Sequence, residues 1–140
     1  MISRRRLSCI VAAWLVGLAV VGCSSRQKSG RPDIDEIPEI EHRGKATKNA
    51  LYEFRAKVKK RGVAAAKQDL PDLLENIQAH EKLKLGAHNA TYKELAEKLQ
   101  ALQSQLGGSP TKDAVLKSID EICTVGEKLP GEANKEPVVE

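Results

Sequence analysis

Tyr92, Leu95, Leu99, Leu102 and Leu106 follow one another at steps of three and four. That spacing lines one face of an α-helix and leaves a strand no consistent side. Val115, Ile119, Ile122 and Leu129 repeat the pattern downstream, and Ala50, Leu51, Phe54 and Val58 repeat it upstream. Between them Ala66, Leu70, Leu73, Leu74 and Ile77 form a further stripe. No stretch alternates apolar and polar residues as a half-buried strand must. The expected fold class is therefore all-α, a small antiparallel bundle of three or four helices joined by short loops. About 85 residues, 44–129, suffice for one modest aliphatic core.

The breaks are marked as clearly as the stripes. Gly62 follows a basic turn, where positive charge complements the helix dipole, and is read as a stop. Thr91 with Glu94 suggests a capping box, and Ser109 is the expected cap of the fourth helix, with Pro110 in its first turn. Pro71 lies inside the second stripe and predicts either a kink or a new start capped by Asp69. Leu129-Pro130-Gly131 is the expected end of the last helix, with residues 130–140 a disordered tail.

Ahead of the bundle the character changes. Arg4, Arg5 and Arg6 precede Leu7–Val21, an almost uninterrupted apolar run, and Gly22 offers a small residue before Cys23. A positive start, an apolar stretch and a small-residue exit are the parts of an export signal. As a helix, Leu7–Cys23 would reach about 25 Å, short of a hydrocarbon core of about 30 Å. Removing the three arginines leaves twenty basic residues against nineteen acidic ones, so the basic pI belongs largely to the leader and gives no ground for a nucleic-acid partner.

The junction "VVGC", Val20, Val21, Gly22 and Cys23, resembles the lipobox of bacterial lipoproteins. The resemblance covers the leader and its junction only; Val at position 20 departs mildly from the commoner Leu. It implies cleavage between Gly22 and Cys23, a diacylglycerol thioether on the Cys23 sulfur, and acylation of the new amino group. Two or more chains hold a protein to a membrane where one does so marginally. Ser24, not Asp, follows Cys23, which for this family implies the outer membrane facing the periplasm if the organism has two membranes. Residues 1–22 are thus expected as a signal peptide, and 23–43 as the lipidated cysteine and a flexible tether.

Chemistry-bearing constellations are sparse. His80, Glu81 and His88 are the candidate metal ligands, but the histidines are eight apart rather than one helical turn apart as in H-E-x-x-H. There is no G-x-S-x-G elbow, no C-x-x-C-H and no phosphate-binding loop. Cys123, in an apolar stripe, reads as a small buried hydrophobe. Arg55, Lys57, Lys59, Lys60 and Arg61 form the candidate interaction patch, for anionic headgroups, acidic glycans or an acidic protein. The expectation is a non-enzymatic, membrane-anchored adaptor or structural protein of the cell envelope, with no cofactor and an unknown envelope protein as partner. The alternative is a bundle carrying a small ligand or metal.

Overall fold

A computed structural model describes residues 36–137, with side chains from 39 onward. The expected signal peptide, Val20, Val21, Gly22, Cys23 and most of the expected tether lie outside the described residues. Four α-helices account for most of the rest: α1 Glu36–Arg61, α2 Val63–Glu81, α3 Asn89–Leu106 and α4 Lys112–Gly126, with a short 3₁₀ turn at Gly86–His88. No strand occurs among the described residues, and the fold is an all-α bundle.

Cross-helix pairs show that every sequential neighbour runs antiparallel. Lys57 reaches Asp69 at the start of the α1–α2 seam, and Phe54 and Ala50 face Leu73 and Asn76 further along it. On the α2–α3 seam His80 lies beside Tyr92 while Leu70 and Pro71 lie beside Leu106 and Gly107. Lys98 with Glu121 and Lys128 with Glu94 set the α3–α4 register. Arg55 with Asp120 and Lys48 with Leu129 close α4 onto α1. The topology is up-down-up-down, and each helix packs chiefly on the two beside it.

The stripes meet as their spacing predicts. Leu51, Phe54 and Val58 of α1 are buried, as are all five residues of the α2 stripe, all five of the α3 stripe and Val115, Ile119 and Ile122 of α4. Their shared burial supplies most of the stabilisation, at roughly 1.5–3 kcal/mol for each large side chain removed from water. Gly62 is the whole of the α1–α2 connection. Its φ of 80° is one that favours glycine, and its N–H makes the last bond of α1 by donating to the Val58 carbonyl at 2.8 Å.

Several boundaries differ from expectation. α1 starts at Glu36, inside the stretch read as tether and ahead of the bundle start at residue 44. Pro38 falls in its first turn, where no backbone donor is lost, and Ile40 packs against the core. Arg43 and Glu39, one turn apart, add an ion pair at 2.6 Å. α2 runs through Pro71 as one helix, so Asp69 caps nothing and pairs instead with Lys57 at 3.0 Å. Proline is tolerated there because Pro71 and Lys67 are both exposed, which leaves the forfeited Lys67 carbonyl bond within reach of water, while Leu70, Leu73 and Leu74 stay anchored in the core.

The caps differ too. α3 begins at Asn89, not Thr91; the Asn89 side chain accepts from the Leu85 N–H at 2.7 Å and donates to the Glu81 and Leu83 carbonyls. Glu94 is drawn to Lys128 rather than back to a cap. Thr111, not Ser109, caps α4, its hydroxyl accepting from the Ala114 N–H at 3.3 Å. α4 ends at Gly126, and Leu129 remains buried on the turns that follow.

Candidate functional site

The segment expected as a disordered tail meets α1 at Pro130, Gly131 and Asn134. Lys48 is only 5% exposed, and its ammonium donates to the Leu129 carbonyl at 3.0 Å and to the Gly131 carbonyl. The Asn134 N–H donates to Asn49 Oδ1 at 2.8 Å. Two glycines permit the approach. A Cβ on Gly44 would collide with the Pro130 carbonyl oxygen, and one on Gly131, at φ 83°, would stand 2.6 Å from the Glu41 carbonyl oxygen. A cation amid carbonyls just past the end of α4 is also favoured by the helix dipole.

Beside Lys48 sits Thr47, also buried, whose hydroxyl lies 3.4 Å from the Tyr92 hydroxyl across the bundle. Burial holds the Tyr92 phenol above its ordinary range, opposed by the Thr47 hydrogen bond. The Tyr92 ring stacks on His80 with centroids 5.3 Å apart, and His80 donates from Nδ1 to the Asn76 carbonyl at 2.7 Å. These polar groups occupy one end of the bundle, where α1 begins and α4 finishes. Every buried side-chain nitrogen or oxygen among the described residues has a partner. The cluster therefore holds structure together and presents no unsatisfied group to a ligand.

The metal candidates are not brought together as a cage. His80 is committed to Tyr92 and Asn76, Glu81 offers its carbonyl to Asn89, and His88 sits at the start of α3. Among the described residues, no three His, Cys, Asp or Glu side chains gather closely enough to hold a metal ion. Cys123 is buried against α1, its Sγ 3.9 Å from the Leu51 carbonyl. Burial raises its thiol to about 11, which leaves little thiolate at neutral pH and makes it a poor nucleophile.

A second polar cluster lies on the α1–α4 surface. Tyr52 donates from its hydroxyl to Glu127, which also pairs with Lys135 at 3.6 Å. The Tyr52 phenol is pushed up by burial and by Glu127, whereas the hydroxyl's hydrogen bond holds the Glu127 carboxyl below its usual range. Two shallow recesses lie on the surface of the described residues. One, about 210 Å³, lies between α1 and α2 with Phe54 and Leu73 beneath Glu53, Lys57, Asp69 and Asp72. The other, about 190 Å³, lies beside Pro71 and Gly107. Neither combines enclosure with converging donors in the way that orients a small substrate.

The basic run Arg55–Arg61 does not lie on one face of α1. Arg55 turns to α4 and meets Asp120 at 2.5 Å, whereas Lys57 turns to α2 and meets Asp69. Lys59, Lys60 and Arg61 remain exposed in the last turn of α1. Helical geometry causes this division, since residues two apart point about 200° away from each other around the axis. No family model, characterised protein or solved structure matches this chain.

Proposed function

We propose that the protein is a lipid-anchored component of the cell envelope whose helical bundle serves a non-enzymatic, adaptor or structural role. The observation that carries the reading is the junction Val20-Val21-Gly22-Cys23 behind three arginines and an apolar run. Acyl chains on Cys23 would supply the attachment, because no helix among the described residues is long and apolar enough to cross a membrane. Among the described residues, the satisfied buried polar groups, the buried Cys123 thiol and the shallow recesses support the non-enzymatic reading.

The outer membrane, facing the periplasm, is the proposed destination in an organism with two membranes. Metabolic labelling with radioactive palmitate in wild type and Cys23→Ala tests the anchor. Label in the wild type and none in the variant is the expected outcome; equal labelling of both, or of neither, sinks it.

A further inference from the structure

The four helices sort their charge along the bundle axis. At the end where α1 finishes and α4 begins, residues 58–68 and 99–118 carry Lys59, Lys60, Arg61, Lys67, Lys112 and Lys117 against a single acid, Asp113. The antiparallel registers bring these side chains to one end. Lys57 opposite Asp69 places Lys67 level with Lys59, and Arg55 opposite Asp120 places Lys117 near the same level. The middle of the bundle is the reverse: residues 49–57, 69–76, 95–98 and 119–121 hold seven acids against Arg55, Lys57 and Lys98, the last level with Glu121. The remaining end is balanced. All six basic residues are exposed, and Lys59, Lys67, Lys112 and Lys117 make no ion pair among the described residues.

We propose that this basic end is a docking face for an anionic phospholipid surface, met end-on. Five of its six charges are lysines, compact point charges without the guanidinium fork that reads a fixed carboxylate or phosphate bidentately. Such an array suits many mobile headgroup phosphates better than one rigid partner. The face has no aromatic platform for stacking bases or sugar rings, since Phe54 and Tyr92 are buried and Tyr52 is engaged with Glu127. It has no apolar anchor for a protein hot spot or for insertion, because Leu83, the one large apolar residue well exposed among those described, lies at the opposite end. Its recess beside Lys67 is too small to guide a polymer. The acidic middle repels the same surface, so the field orients the bundle as well as attracting it.

The inference is independent of acylation at Cys23. The full chain, tagged at its C-terminus and held on neutral beads, is offered phosphatidylcholine vesicles with and without phosphatidylglycerol. Two variants with equal charge change are compared: Lys59→Gln/Lys67→Gln/Lys112→Gln/Lys117→Gln and, at the other end, Lys45→Gln/Lys82→Gln/Lys84→Gln/Lys93→Gln. Arg4, Arg5 and Arg6 are common to all samples, so the difference between variants reads the face alone.

The expected result is salt-sensitive capture of the anionic vesicles. It falls about fivefold for each lysine removed from the basic end, with a much smaller loss in the matched control. Helicity by circular dichroism confirms that each variant is folded. Equal losses in the two variants, or wild-type capture by the first, overturn the proposal. So does a soluble acidic polysaccharide that binds the basic end while anionic vesicles do not, which would assign the face to a polymer.

Discussion

Replacing Lys48 by Met separates the ammonium from its stem. Met keeps most of the apolar length packed between α1 and α4, so no large cavity opens, but both donors are lost. The Leu129 and Gly131 carbonyls then stay behind, the first in a buried setting. A hydrogen bond to a charged group contributes about 1.5–3 kcal/mol, and an orphaned buried acceptor costs about 1–3 kcal/mol. Against this, the variant no longer has to desolvate a cation. The net expectation is a loss of about 2–3 kcal/mol, or a fall in Tm of about 10–20 °C for a domain near 100 residues.

Urea unfolding followed by circular dichroism measures the loss. Amide exchange should rise first at residues 131–136, including the Asn134 N–H that Asn49 now accepts. Gly131→Ala approaches the same segment differently, forcing a side chain onto a φ of 83° and against the Glu41 carbonyl. It should loosen the same amides with Lys48 intact. A Lys48→Met protein within about 0.5 kcal/mol of wild type, with unchanged exchange over 131–136, would refute the claim that this ammonium pins the segment.

Thr111→Ala should cost about 1 kcal/mol by urea unfolding, whereas Ser109→Ala should change stability by less than about 0.5 kcal/mol; the reverse order would return the cap to Ser109. Burial raises the Cys123 thiol from 9.0 to about 11, so the unfolded chain ionises first as pH climbs. The stability this group supplies is complete below about pH 9 and disappears as pH rises toward 11, up to about 2–3 kcal/mol in all. Cys123→Ala should therefore lose less stability than wild type between pH 8 and pH 11, and parallel losses would contradict the assignment.

The bundle was legible wherever a residue's fate depended on its own helix. Leu95, Leu99 and Leu102 had to face inward because periodicity leaves nowhere else for them. The ends were less legible because caps compete through tertiary geometry. Thr91 and Glu94 have the right spacing, yet Asn89 starts the helix earlier by bridging a loop whose path no local pattern encodes, and Lys128, in the turn after α4, claims Glu94. Lys48 was invisible for a related reason. A lysine between Thr47 and Asn49 reads as solvated until the returning chain places two carbonyls over it. The basic end shows both sides: Lys59 to Arg61 stand out in the sequence, but only the antiparallel registers bring Lys67, Lys112 and Lys117 beside them.

Gly62 gives the bundle a corner with no slack. Were that residue to adopt helical angles, α1 and α2 would fuse into one rod of roughly 46 residues, on the order of 70 Å long. Two such opened chains could then exchange their halves and rebuild the same core between them. A one-residue elbow thus fixes how the first two helices slide past each other, and it is also the joint at which a monomer could be traded for an interlocked pair.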